Sequence, residues 1–359
     1  MVAIKEINVP GYEKVIEAID TESNLFAYIA IHSTKLGPAL GGTRFYPYNL
    51  PGDALKDALR LSKAMSYKSA VVQDGLGGGK SVIIGDPKKD KNPQLLKSFA
   101  EVLNRLKGQY IAAEDVGTTV DDMMILREIS PFVAALPTLK SSGDPSRFTA
   151  HGVYQGLKAI AKTLWNKPSL KGKQIIVQGL GNVGSKVTDL LFWEGADLTV
   201  CDVDADKVAH YVHDFGAKSI DSSIAFEQEC DIFVPCAMGG FINEQTINEL
   251  KCVAVGGSAN NQLSTPEMGK ALFDRGILYA PDYIINAGGI INAASEFDRK
   301  GYNPKNARDK TLRIFETLIE IFTRSRLERK GTNLVADEMA EYNIKHGVGQ
   351  RHDPIPFER

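Results

Sequence analysis

Gln174-Ile-Ile-Val-Gln-Gly-Leu-Gly-Asn-Val-Gly184 joins a β-type apolar run, Ile175 to Val177, to glycines at 179, 181 and 184. Alone, a G-x-G-x-x-G spacing is weak evidence. Here it follows a strand-like run and opens a helical pattern that reaches Glu194, which is the setting a dinucleotide-binding βαβ unit requires. Glycines allow the tight turn and a close backbone approach, and the helix amino terminus offers unpaired N–H groups and a positive dipole end to a pyrophosphate. Asp202 ends the next apolar run, Leu198 to Cys201, 18 residues beyond Gly184. A carboxylate there accepts from ribose hydroxyls and repels a 2′-phosphate, so NAD is expected over NADP. Gly179, Leu180, Gly181, Asn182, Val183, Gly184 and Asp202 are the candidate cofactor residues.

Outward from this unit the chain alternates β-type runs with longer helical patterns, the order of an α/β protein with helices covering a largely parallel sheet. Before it, Leu25 to Ile31, Ser81 to Ile84 and Tyr110 to Glu114 read as strands, and Asp53 to Tyr67 and Pro93 to Leu106 as helices. After it, runs at 231–234 and 253–255 continue the alternation, and Asn306 to Leu327 and Ala336 to Ile344 read as closing helices. The loop Ser141-Ser-Gly-Asp-Pro-Ser146 is rich in turn formers and marks a boundary. Two domains are expected: residues 1–145 with the substrate and the chemistry, and 146–329 as a Rossmann domain. Residues from about 330 to 359 are expected to pack back on the first domain, with the active-site cleft between the two.

The 359 residues suit two domains. Charge is nearly balanced, 42 basic against 44 acidic residues, and no run of one sign marks a nucleic-acid or membrane surface. Small molecules and further copies of the chain are the expected partners, so a homo-oligomer is expected. Cys201, Cys230, Cys236 and Cys252 match no zinc or redox spacing, and no metal signature arises from the six histidines. Neither a signal peptide nor a long apolar window is visible, which predicts a cytoplasmic protein.

The first half holds the run Asp74-Gly-Leu-Gly-Gly-Gly-Lys80. Gly79-Lys80-Ser81 ends like a nucleoside-triphosphate P-loop, but the first glycine of that motif would fall on Asp74, and the run from Ser81 reads as a strand where a P-loop would open a helix. Lys80 therefore needs another role. Lys68 lies on the apolar stripe of its helix with Leu61, Ala64 and Met65, and Asp115 ends a strand. Two ammonium groups brought together in a poorly solvated cleft depress at least one pKa. One lysine can then act as a base while the other holds an anion, and Asp115 can exchange protons.

The blocks Gly37-Pro-Ala-Leu-Gly-Gly-Thr-Arg-Phe45, Met65-Ser-Tyr-Lys68, Leu76-Gly-Gly-Gly-Lys80 and Ala113-Glu-Asp-Val-Gly-Thr118 occur in order, followed by Gly257-Ser-Ala-Asn-Asn-Gln262 and Pro281-Asp-Tyr-Ile-Ile-Asn-Ala-Gly-Gly289. Together they resemble the glutamate/leucine/phenylalanine/valine dehydrogenase family, within it the leucine-specific branch, over almost the whole chain. The resemblance implies NAD-dependent oxidative deamination of a branched-chain L-amino acid to a 2-oxo acid and ammonium, and the reverse. It implies that Lys68 binds the substrate carboxylate, that Lys80 is catalytic and that Asp115 assists proton transfer. By the same resemblance Gly41 and Gly42 line the site, Asn260 and Asn286 contact substrate or the nicotinamide side, and Leu40, Ala113, Ile290 and Ala293 surround the substrate side chain. All four of these last are apolar, and a glutamate side chain buried unpaired against Leu40 would cost several kcal/mol. An aromatic substrate and a catalytically silent regulator are the alternatives.

Overall fold

The structure, a computed structural model, describes residues 2–138, 141–237 and 239–357. The chain forms two compact units, one of Met1–Asp144, Ala293–Pro304 and Ala340–Arg359, the other of Pro145–Asn292 and Lys305–Met339. The expected boundary near 145 coincides with the first division. The return to the first unit differs from expectation: residues 293–304 join it as well, and the final segment joins it from 340, not 330.

The first unit contains β1 (Ala3–Glu6), β2 (Lys14–Asp20), β3 (Leu25–Ser33), β4 (Ala39–Tyr46), α1 (Pro51–Val72), β5 (Gly77–Ile84), α2 (Pro93–Arg105), β6 (Tyr110–Glu114) and α3 (Val120–Ile129). Its sheet has the order β1-β2-β3-β5-β4-β6. Strands β1, β2, β3 and β5 pair antiparallel, and only β4 pairs parallel with β5 and β6. The expectation of a largely parallel sheet is thus corrected for this half. Strands alternate their side chains between faces, and β5 shows the result. Ile83 enters the core of Phe99, Leu95, Tyr110 and Ile29 beneath α2 and α3, whereas Val82 packs with Ala30, Ala54 and Ala58 beneath α1. Helix α3 is started by a capping box, in which Thr119 Oγ1 accepts from Asp122 N and the Asp122 carboxylate accepts from Thr119 N.

The second unit contains α4 (Ser146–Trp165), β7 (Gln174–Gln178), α5 (Gly184–Glu194), β8 (Asp197–Cys201), α6 (Ala205–Phe215), β9 (Lys218–Ser219), β10 (Cys230–Pro235), β11 (Cys252–Val255), α7 (Glu267–Asp274), β12 (Leu278–Tyr279) and α8 (Asp282–Ile285). The chain continues through α9 (Gly288–Ala294), α10 (Pro304–Leu312), α11 (Ile314–Glu328) and α12 (Thr332–His346). The sheet is parallel throughout, in the order β12-β11-β10-β7-β8-β9. Sequence order reverses between β7 and β10, the switch point at which doubly wound sheets bind ligands beyond their strand carboxyl ends. The closing segment expected as one helix is two, broken at Arg313.

Candidate active site

The strand expected from Ser81 begins earlier, at Gly77, within the glycine run. Gly77, Gly78, Gly79 and Lys80 are all strand residues of β5, and only Gly75 before them has a positive φ, +76°. Their lack of side chains serves close packing. A Cβ at Gly78 would lie 1.9 Å from Ser66 N of α1, and one at Gly79 would lie 2.7 Å from the Tyr110 ring. Helix α1 therefore approaches the face of β5 that carries Lys80. It also runs past the expected end at Tyr67 to Val72, so half-buried Lys68 stands inside the helix, two residues beyond Ser66.

Register and alternation relate Leu40, Gly42, Lys80, Ala113 and Asp115 to one another across β4, β5 and β6, while Lys68 lies on α1. Leu40, Gly42 and Arg44 of β4 share the face of Lys80, and Ala113 of β6 pairs with Gly42. A Cβ on Gly42 would lie 2.7 Å from Asp115 Cβ and 3.2 Å from Lys80 Nζ, so the glycine keeps the space between them open. Gly41 faces the other way, where a Cβ would collide with Gly79 O at 1.8 Å. Leu40 is 2 % exposed and Ala113 half-buried.

Lys80 is 6 % exposed, and its ammonium is ion-paired with Asp115 Oδ2. Burial pushes the Lys80 pKa down and the Asp115 charge pushes back. Arg44 adds to the lowering, and the outcome lies below the ordinary lysine value. Burial alone would raise the Asp115 carboxyl, but Lys80 and Arg44 outweigh it and hold it below its ordinary value. Thr118 Oγ1 accepts from Asp115 N and donates to Thr43 O, both at 2.9 Å, which fixes the end of β6 against β4. The result is a buried amine paired with a half-buried carboxylate beside a glycine that leaves both uncrowded.

Sequence reasoning missed three contributors. Arg44 Nε lies 3.3 Å from Asp115 Oδ2, and Arg44 Nη1 lies 2.7 Å from Asp57 Oδ2 on α1. Tyr110 donates to Gly41 O at 2.8 Å and meets Ser81 Oγ at 3.0 Å, bracing β4 against β5 next to Lys80. Arg44 alternates with Leu40 and Gly42 along one strand, a signal that was available; Asp57 and Tyr110 carried none.

In the second unit the dinucleotide residues gather at the carboxyl ends of β7, β8 and β11. Gly179 has φ +97°, and a Cβ at Gly184 would lie 1.9 Å from Gly179 O, so both glycines are required by the turn itself. Gly181 has no atom within 4 Å of its Cβ position, which leaves room for a phosphate above the α5 amino terminus. The N–H of Leu180 donates to Asp202 Oδ2 at 2.5 Å, tying the carboxylate to the glycine turn, while Asp204 N donates to Oδ1 at 2.9 Å. Burial pushes the Asp202 carboxyl up, but these backbone donors prevail and lower it. The residues present thus fit a dinucleotide. Asn182 and Val183 complete the turn. Asn286 Nδ2 donates to Asn260 Oδ1 at 2.8 Å and to Ser258 O at 3.1 Å, so these two candidates also meet. Ile290 and Ala293 lie three residues apart on α9, half-buried and buried.

Known proteins show the same pairing of units. Residues 14–130 match the family model described as Glu/Leu/Phe/Val dehydrogenase, dimerisation domain, and residues 198–335 match that of glutamate/leucine/phenylalanine/valine dehydrogenase. A leucine dehydrogenase of Geobacillus stearothermophilus is 48 % identical over 346 residues, covering 96 % of this chain and 94 % of its own. A phenylalanine dehydrogenase of Bacillus thermotolerans is 44 % identical over 347 residues, covering 95 % and 90 %. The crystal structure of L-tryptophan dehydrogenase from Nostoc punctiforme superposes with a TM-score of 0.84 at 37 % identity, covering 94 % of this chain and 97 % of that one. With a dinucleotide turn in one unit and a buried lysine paired with an aspartate in the other, the chain belongs to the glutamate/leucine/phenylalanine/valine dehydrogenase family of amino-acid dehydrogenases.

Proposed function

We propose that the protein interconverts a branched-chain L-amino acid with its 2-oxo acid and ammonium, using NAD. The observation that carries the chemistry is the Lys80–Asp115 pair, a lysine with a lowered pKa in contact with a carboxylate on a buried sheet face. Lys68 holds the substrate α-carboxylate. Bound NAD supplies the hydride acceptor for the Cα hydrogen. Lys80 in its neutral form takes a proton from the water that adds to the resulting imine, and Asp115 carries protons to and from the departing amine. Gly42 leaves the space in which the carbinolamine collapses. Asn260 and Asn286, joined by a hydrogen bond, orient the amide or amino groups that approach them.

Leu40 and Ala113 on the Lys80 face support an aliphatic side chain, as do the several leucine dehydrogenases at 46 to 48 % identity. Phenylalanine is the second reading, favoured by the small Ala293. NAD over NADP rests on Asp202, which sits where a 2′-phosphate would meet a carboxylate. We further infer a homo-oligomer, supported by the family model over residues 14–130, and a reducing cytoplasmic setting, supported by four cysteines without a disulfide. Among the described residues no helix is long and apolar enough to cross a membrane. The deciding experiment follows NADH formation with L-leucine, L-valine, L-isoleucine, L-phenylalanine, L-tryptophan and L-glutamate, then repeats the best substrate with NADP. The three aliphatic substrates should lead in kcat/KM; an aromatic one ahead by tenfold would replace this reading, and inactivity with all six would restore the silent regulator.

A further inference from the structure

Arg44 stands two residues beyond Gly42 on the face of the sheet that carries Lys80. Its guanidinium spans two carboxylates, Asp115 Oδ2 at 3.3 Å and Asp57 Oδ2 at 2.7 Å. Asp57 also accepts from Tyr48 at 2.5 Å and from Arg60 Nη2 at 2.9 Å. The side chains of Arg44 and Asp57 are only 21 % and 15 % exposed, so their interactions are screened less than those of surface pairs. A line of alternating charge thus runs inward from Arg60 through Asp57, Arg44 and Asp115 to Lys80. Anchoring α1 to β4 needed only the Arg44–Asp57 pair. Instead Arg44 also reaches the same Asp115 oxygen that Lys80 contacts, placing a second cation beside a buried ammonium.

We propose that Arg44, oriented by Asp57, is a positioning residue that tunes the Lys80–Asp115 proton-transfer pair. The proposal rests on the amino-acid dehydrogenase reading above. Arg44 holds one oxygen of Asp115 in place, which fixes the rotation of the carboxylate against Lys80. Its permanent charge keeps the carboxylate ionised and in place as a proton acceptor, and it directly disfavours the ammonium form of Lys80, offsetting the pull of that carboxylate toward the charged amine. Among the described residues the charges acting on Lys80 include Asp115, Arg44 and Asp57. Those facing Asp115 are Lys80 and Arg44, and its charge in turn is felt by Glu114 and Tyr110. Removing the Arg44 charge takes away one opponent of the ammonium form of Lys80 and leaves two carboxylates, Asp115 and Asp57, that favour it.

The test compares pH profiles of kcat and kcat/KM for oxidation of L-leucine by the wild type, R44Q and R44K. In R44Q the acid limb should move to higher pH by about one unit, a tenfold loss below the limb with recovery above it. R44K keeps the charge and should keep the wild-type limb, with kcat reduced about fivefold or more because a single ammonium cannot bridge two carboxylates as the planar fork does. A merely structural Arg44 would lower activity evenly with pH or lower thermal stability alone. An active wild type with an R44Q limb in the wild-type position overturns the proposal. Should R44Q fail to fold by circular dichroism, R44M takes its place and is read in the same way: an acid limb moved to higher pH supports the proposal, and a limb in the wild-type position overturns it. A wild type that oxidises none of the six amino acids overturns the underlying reading instead, and is distinguished because it fails before any variant is compared.

Discussion

Adjacent glycines Gly41 and Gly42 face opposite sides of one strand, and a methyl group on each has a different target. At Gly41 the added carbon meets the Gly79 carbonyl at 1.8 Å, and backbone must move; Gly41→Ala should cost on the order of 1–3 kcal/mol in urea unfolding. At Gly42 it meets Asp115 Cβ at 2.7 Å, Glu114 O at 2.8 Å and Lys80 Nζ at 3.2 Å. Gly42→Ala should lower kcat by about a hundredfold through misplacement of the pair, with a smaller fall in the urea midpoint than Gly41→Ala; wild-type turnover would show that the gap is not where the reaction occurs. Lys80→Ala, with retained circular dichroism, should lose about 10²- to 10⁴-fold in kcat, and near-normal turnover would remove Lys80 as the base. The lysine and aspartate were legible because each stood out against its local pattern. Arg44 was harder to see, since its partner Asp115 lies 71 residues away and ion pairs between distant elements leave no periodic trace.

Elements carry the next distinction. Gly181 and Gly184 belong to the same turn, yet only Gly184 is closely packed against the protein. Gly181→Ala should therefore leave the melting temperature of the free protein within a degree or two while weakening dinucleotide binding at least tenfold in an NADH fluorescence titration. Gly184→Ala should damage both. Equal loss of stability in the two variants would contradict the assignment of the open space to a phosphate. The parallel sheet was readable because a strand, a glycine turn and a helix follow one another within a few residues around 174–194. The mixed sheet was not. β1 is short and largely exposed, and it joins the sheet by pairing antiparallel with β2, which pairs in turn with β3, rather than through any motif of its own. The expected strand begins at Ser81 and omits the glycines of β5, because glycine is depleted from strands in general; here Ser66 and Tyr110, neither adjacent in sequence, demand their small size.

At the scale of the molecule, acidity and chain order matter most. Asp57 and Asp115 in the first unit and Asp202 in the second all have pKa values lowered by folding. Such groups stabilise the fold above their unfolded values near pH 4 and lose that contribution as the pH falls through their lower folded values. The urea midpoint should therefore drop steeply below about pH 4, and Asp57→Asn should make that drop shallower; an identical acid profile in the variant would show that Asp57 does not contribute. The first unit is also discontinuous, because its last segment is Ala340–Arg359. Arg351 reaches back from there, donating from Nε to Gly75 O at 3.1 Å, from Nη1 to Phe297 O at 2.6 Å and from its backbone N–H to Leu36 O at 2.8 Å. During synthesis the ribosome delivers every residue of the second unit before it delivers Arg351. All residues of the second unit, Pro145–Asn292 and Lys305–Met339, thus exist before the first unit gains Ala340–Arg359, so the unit whose sheet bears Lys80 is the later of the two to possess its full set of partners.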